Sequence, residues 1–310
     1  MEHSRRRSEN VLSNLFTRSF HRFVGPKRKF PLRTLCLALP LSLVVAGCAS
    51  VPMKEAGTLT SYANLGAPEG RLGKKRLYVD GQYLAAVKTA SIIPTTFASN
   101  AASRVKSQAD RSLVSNALDR ALCVALSEKY QMVPAGRPAD LMIRSVITNV
   151  VPTNKTMAGI ATAVTVGGGF ALPTDVPFVS VPRLPIGLGG LAVEAEAVDS
   201  GGVQRAAMVW ARGANSIQDD PRYSEVGDAY GLASTFASDF SEILITGKEP
   251  KMLNISLPSR HKVRSWLGGK PKYAACESFG RMPGIFGAAA ANFGLPPQWT
   301  DKKPKPGTAR

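Results

Sequence analysis

The chain is short of histidine, short of cysteine, and has no apolar run long enough to cross a bilayer. Its 310 residues include three histidines, His3, His21 and His261, and four cysteines, Cys36, Cys48, Cys123 and Cys276. His261 stands alone in a basic, proline-containing stretch, where a histidine is ordinarily a solvated surface residue rather than a base or a ligand. No Gly-x-Ser-x-Gly frames any serine, so a Ser/His/Asp arrangement would have to borrow His261 from that stretch. Gly167-Gly168-Gly169 lacks the Gly-Lys-Ser/Thr sequel of a phosphate-binding loop. No set of acid, base, nucleophile and metal-ligating residues converges, and no cofactor or metal is expected. Acidic residues are also scarce, 22 against 39 basic, for a net charge of +17. The excess lies at the ends: residues 1–47 hold 9 basic and 2 acidic residues and residues 251–310 hold 11 and 2, leaving 19 against 18 between them. A nearly neutral middle excludes the basic face that nucleic acid requires.

What the chain does have is a basic cluster, Lys27-Arg28-Lys29 with Arg33, followed by about 13 apolar residues ending at Val45-Ala46-Gly47-Cys48. A run that short does not span a hydrocarbon core of about 30 Å, and with its basic flank it reads as a signal. The ending resembles the lipobox of bacterial lipoproteins. The resemblance implies cleavage between Gly47 and Cys48, lipid on the Cys48 thiol, and a mature chain held at a membrane. Each buried methylene of such an anchor contributes about 0.8 kcal/mol, and more than one acyl chain makes it effectively permanent. Ala49, in place of Asp, implies the outer membrane, facing the periplasm. Residues 1–26, with Arg5, Arg6, Arg7, Arg18 and Arg22, make a longer leader than such signals need. Ser4-Arg5-Arg6-Arg7-Ser8 lacks the apolar pair of a twin-arginine signal. With Cys36 in the leader and Cys48 acylated, Cys123 and Cys276 remain as a possible disulfide in an oxidising compartment.

The rest divides into a tether (48–56), a folded domain (57–248) and a basic tail (249–310). Gly57, Leu59, Tyr62 and Leu65 have the spacing G-x-L-x-x-Y-x-x-L, which puts the three large residues on one face of a short helix. Residues 76–79 and 84–93 read as extended. Residues 110–130 change to a period of 3.6, with Val114, Leu118, Leu122 and Leu126 on one stripe and Arg111, Asp119 and Glu128 off it. Cys123 lies in this helix, whose apolar stripe argues against a partner reaching it. Residues 131–133 and 139–151 read as strands, the second with Leu141, Ile143 and Ile147 facing one way and Arg144 and Thr148 the other. A hairpin follows at 191–198 and 203–213 around Asp199-Ser200-Gly201-Gly202, placing Glu196 opposite Arg205. Residues 224–245 form a last helix, ended by Gly247. The expected class is α+β: an antiparallel sheet with two main helices packed on one face, plus an irregular C-terminal extension.

The lipidated cysteine, the G-x-L-x-x-Y-x-x-L stretch, the long helix, the 139–148 strand, the Glu194-Ala195-Glu196 hairpin and the closing helix together resemble an uncharacterised bacterial lipoprotein family, domain of unknown function 3313, over residues 45–246. The resemblance implies a location and an α+β shape and carries over no catalytic residue. Glu194 and Glu196 have the spacing of a carboxylate pair, but the alternation puts them on a solvated sheet face beside Arg205. Asp219-Asp220, followed by Pro221, open a turn. Residues 156–174 carry no charge and read as a mobile loop and connector, or, with 176–191, as an apolar surface for a bilayer or protein partner; Gly167 to Gly169 argue against a helix. The tail carries Trp266, Tyr273, Phe279, Phe286, Phe293 and Trp299, which should be covered by docking, and its positive charge suits anionic lipid or an acidic envelope polymer. The function expected is a lipid-anchored envelope lipoprotein that binds a partner or lipid without catalysis; the alternative is a lipid-anchored hydrolase of unrecognised type.

Overall fold

The computed structural model describes residues 51–70, 73–171, 187–216, 219–249 and 258–304. The leader, the Gly47–Cys48 junction and residues 172–186 lie outside the described residues. The elements run β1 (Gly73–Val79), α1 (Gly81–Ala86), β2 (Thr89–Ile92), β3 (Thr96–Phe97), α2 (Ser99–Arg104), α3 (Gln108–Leu126), β4 (Gln131–Val133), β5 (Leu141–Val151), α4 (Lys155–Ala171), β6 (Gly190–Asp199), β7 (Gln204–Gly213), α5 (Gly227–Thr246), α6 (Arg260–Trp266), a 3-10 turn (Ala274–Phe279), α7 (Gly284–Asn292) and α8 (Pro297–Thr300).

The class is α+β, as expected, but the sheet is mixed. Its order is β1-β7-β6-β5-β2-β4, with β3 also on β5. The four long strands pair antiparallel, while β2 lies parallel to β4 and β5, and β3 parallel to β5. Parallel neighbours need a crossover, and α3 between β2 and β4 supplies it. The segment 84–93 is extended only in its second half. Asp80 accepts a hydrogen bond from the Tyr83 amide at 3.0 Å and starts helix α1 there.

Helices α3 and α5 pack together on one face, as the stripes imply. Leu118, Leu122 and Leu126 from α3 and Phe236, Phe240 and Ile243 from α5 are fully buried, over Leu141, Ile143, Ile147, Leu191 and Val193 of the sheet. Trp210 meets Phe236 edge to face at 5.7 Å, and its indole N–H donates to Asp239 at 2.9 Å. Gly247 ends α5 at φ 65°, a conformation that glycine adopts without a Cβ clash. In β5 a bulge between Ile147 and Asn149 breaks the alternation, so Thr148, expected outward, is buried.

Two expectations are corrected. The charge-free segment from residue 156 is helical as far as Ala171, through all three glycines; the Asn154 side chain caps its start, accepting from the Met157 amide at 3.1 Å, and Ala158 and Ala161 are buried beneath it. Among the described residues, no helix is long and apolar enough to cross a membrane. The tail is not irregular: α6 and the 3-10 turn pack on α3, and α7 packs on α6 and α8. Docking buries Phe279 and half-buries Tyr273, yet leaves Trp266, Phe286, Phe293 and Trp299 exposed.

The tail is held by charge and covalently. Arg120, buried on α3, pairs with Asp301 at 2.6 Å, both side chains being at most 2% exposed. Tyr230 on α5 donates to the same Asp301 oxygen at 2.8 Å, and Arg120 also donates to the Phe279 carbonyl at 3.3 Å. Cys276 is disulfide-bonded to Cys123. Cys123 does lie on the buried stripe, and the tail reaches it by becoming part of that core. Removing one partner of a buried pair strands the other, so Asp301→Asn is expected to cost about 3–5 kcal/mol. Urea unfolding of the oxidised protein measures this; a loss under about 0.5 kcal/mol would show that the pair does not hold the tail.

Candidate functional site

Strand β6 is buried along its entire length. Leu191, Val193, Ala195 and Ala197 face the α3/α5 core, so Ala192, Glu194, Glu196 and Val198 face the other way. That second face is not solvated. Glu194 and Glu196 are 0% and 1% exposed, which corrects the expectation of a charged surface. The covering layer is the segment 51–65, expected in part as a free tether. Val51 packs on Ala192 and Ala211, and Leu59 and Leu65, with Tyr62, pack on Ala207 and Val209. The three residues of the G-x-L-x-x-Y-x-x-L spacing do share a face, but the backbone there is not helical.

Glu194 takes all its donors from this segment, and Glu196 takes two from it and two from the neighbouring strands. Glu194 accepts from the Ala56 amide at 2.6 Å, the Thr58 amide at 3.2 Å, the Tyr62 hydroxyl at 2.6 Å and the Thr58 hydroxyl. Glu196 accepts from the Thr60 amide at 2.8 Å, the Thr60 hydroxyl at 3.2 Å, the Gln204 side-chain amide at 2.8 Å and Arg144. Burial, and then the bond to Glu194, pushes the Tyr62 hydroxyl upward. Arg205 does not oppose Glu196. Ala197 pairs with Ala206 and Val198 with Gln204, so Arg205 is the extra residue of a bulge, and Glu196 faces Ala207. Arg205 turns instead to Asp80 and Asp199, at 2.9 and 2.8 Å, with its guanidinium 4.0 Å over Tyr83.

A general acid or base must reach a substrate proton. Glu194 and Glu196 are closed from solvent with their lone pairs engaged, so the arrangement can clamp a segment rather than move a proton. The other candidates stay apart from it. Asp219 accepts from the Asn215 amide at 2.8 Å and pairs with Arg212 at 3.4 Å, a turn contact; Gly167 to Gly169 lie within α4, and His261 is exposed on α6. Among the described residues, no three His, Cys, Asp or Glu are grouped to hold a metal ion. Pro258, Arg260, Val263, Arg264, Leu267 and Gly269 line an open cleft of about 470 Å³ on the tail.

Sequence reasoning missed Asp119. Placed off the apolar stripe of α3, it is nevertheless 1% exposed, because the turn after β2 closes over it. It accepts from the Thr95 amide at 2.9 Å and from the Thr95 hydroxyl. Burial raises its carboxyl to about 7 in spite of the Thr95 bonds and neighbouring Arg120, which lower it. A single aspartate on a helix gives no period signal, and only the Pro94-Thr95 turn marks its partner.

A family model described as "Protein of unknown function (DUF3313)" matches residues 54–240. The chain is similar in structure to the PelC dodecamer from Paraburkholderia phytofirmans in space group P6, with 10% identity and a TM-score of 0.33 over 58% of this chain and 99% of that one. A single-substitution variant of that dodecamer, from the same organism in space group C2, shares 9% identity with a TM-score of 0.31 over the same shares. No curated protein matches.

The clamp generates one prediction. Glu194→Gln sets an amide N–H against donors and should cost roughly 1–3 kcal/mol, with faster hydrogen exchange at residues 56–60 than in the wild type; unchanged exchange would remove Glu194 from the clamp. Asp119 generates another. Its folded carboxyl keeps its proton up to about pH 7, against 3.8 for a free aspartate. The native state therefore binds more protons in that window, and the Asp119 contribution to stability falls as pH rises through it, then levels off. The substitution Asp119→Asn mimics the neutral acid at every pH, so the difference in urea midpoint between this variant and wild type should grow in the variant's favour from the lower to the upper value. A difference that does not change with pH would contradict this.

Proposed function

The chain belongs to the DUF3313 family, and from that premise we propose that it is a lipid-anchored envelope lipoprotein acting as a non-enzymatic binding or accessory module. The observation that supports this reading is the use of the two central carboxylates. They seat the stretch directly behind the lipobox cysteine, where Val51, three positions after Cys48, docks on Ala192 and Ala211. A fold whose best-placed acids bind its own chain near a lipidated cysteine is organised to be presented at a membrane. In this reading residues 1–47 are removed, the acyl group on Cys48 holds the domain on the outer membrane facing the periplasm, and the module works through contact with a partner or lipid.

Cys48→Ala removes the thiol that would be acylated. Cells expressing the variant should show no incorporation of radiolabelled palmitate into the protein, and the chain should remain unprocessed or appear in the soluble fraction. Label entering the variant as it enters the wild type would overturn the anchored reading.

A further inference from the structure

Two independent features meet at one end of the sheet. The first is the chain leading back to Cys48. Val51 lies against Gly190, whose Cβ, were there one, would meet the Val51 side chain at 2.2 Å. Three peptide steps of 3.80 Å place the Cys48 Cα no farther than about 11 Å from Val51. The second is α4. Asp228 at the start of α5 accepts from the Gly189 amide at 2.6 Å and from the Thr153 hydroxyl at 3.0 Å, so Thr153, two residues before α4, is tied beside Gly190. The helix that begins there has no charged residue after Lys155, and Lys155 is paired with Glu225 at 2.9 Å.

Helix α4 buries Ala158 and Ala161 and turns Ile160 outward, 45% exposed. The tail comes up beside it. The Tyr223 amide donates to the Gly294 carbonyl at 2.8 Å. Tyr223 lies against Gly159 at 3.3 Å from its ideal Cβ, and Gly294 sits so close on Thr162 that a side chain there would overlap it. Ile160 follows Gly159 in sequence and Phe293 precedes Gly294, so the backbones of Ile160, Tyr223 and Phe293 lie close to this contact, and Tyr223 and Phe293 are 56% and 61% exposed. An aliphatic residue on a helix without charge after Lys155, with a phenol and a phenyl ring beside it, has the make-up of a surface that settles at the boundary between headgroups and acyl chains.

We propose that this face, α4 with Tyr223 and Phe293, lies in the interfacial layer of the bilayer that receives the Cys48 acyl group. The inference rests on the anchored reading and adds to it an orientation. The anchor supplies the proximity, within the reach of three residues, and the patch supplies the contact that stops the domain from swinging about it. A protein partner would need to approach the same end of the sheet between the domain and the membrane, so the bilayer is the occupant that the geometry favours.

The test uses the full-length chain in cells, with photoreactive benzoylphenylalanine replacing Ile160, Phe293 or, as a control, Val203. Val203 is equally apolar and 51% exposed, but it lies in the β6–β7 turn, at the far end of β6 from Gly190. All three positions are exposed, so the variants should melt as the wild type does. After illumination, lipid-mass adducts are expected at 160 and 293 and not at 203. Palmitate labelling is read in the same cells. Labelled protein with no lipid adduct at 160 and 293, with protein-mass adducts there instead, or with equal lipid adducts at 203, overturns the orientation and leaves the anchor standing. Absence of label from the wild type overturns the anchor and the orientation with it.

Discussion

A strand buried on both faces cannot carry two carboxylates unless other groups donate to them, and β6 is such a strand. Its α3/α5 face is filled by aliphatic and aromatic side chains in the ordinary way. Its other face has Glu194 and Glu196 at the centre, where an unpaired charge costs far more than the neighbouring apolar contacts return. The segment 51–65 is therefore required for the sheet to be stable as well as for its own order. Its amides and hydroxyls answer the carboxylates, while Val51, Leu59 and Leu65 close the apolar margin.

The helical side meets the same condition with another device. Arg120 is in the α3/α5 layer, and the anion that answers it, Asp301, comes from close to the C-terminal end of the described chain. Tyr230 bridges the two, and burial together with the Asp301 charge raises its hydroxyl, so it stays a donor at any ordinary pH. The disulfide between Cys123 and Cys276, 153 residues apart, closes a long loop. Closing a loop of that length limits the unfolded chain by several kcal/mol in the chain-entropy account. Each layer of the domain is thus completed by a segment from outside it, residues 51–65 on one side and the 258–304 stretch on the other.

The elements whose periods are local were legible: the stripes of α3 and α5, the β6–β7 hairpin, the Gly247 cap. Departures came where a single residue shifts a register or a distant segment supplies a cover. The Arg205 bulge moved the expected cross-strand partner of Glu196, and the bulge after Ile147 turned Thr148 inward. Leu-Ala-Val-Glu-Ala-Glu-Ala-Val alternates as a half-solvated strand does, and nothing local reveals that donors 136 residues earlier cover the charged face. The parallel edge of β2, β4 and β5 was hidden because parallel pairing is set by a crossover rather than by any signal in the strands themselves. In α4 the helix continues through three glycines, each costing about 1 kcal/mol relative to alanine, while Ala158 and Ala161 are buried near its start. The candidate site was read as the right residues with the wrong environment: spacing identified the carboxylate pair, and only tertiary packing could assign it to a clamp.

Apolar contact alone would cover β6 but would not fix where along it the segment sits, because a slip of two residues presents a similar face. The carboxylates remove that freedom. Thr58 meets Glu194 and Thr60 meets Glu196, so a two-residue step on the segment matches a two-residue step on the strand, and each amide has one acceptor within reach. A slipped segment would leave Glu194 with fewer donors inside a closed face. Buried polar groups that fix register are the best-attested reason for keeping them in a core. Here the register determines where Val51 sits, and hence how much chain separates the end of the sheet from Cys48. Three residues join Cys48 to this locked segment, so the Cys48 Cα lies within about 11 Å of Val51 at the Gly190 end of the sheet. The pair of acids that resembles a catalytic dyad in sequence is, by this geometry, what fixes the place of the 51–65 segment along the sheet.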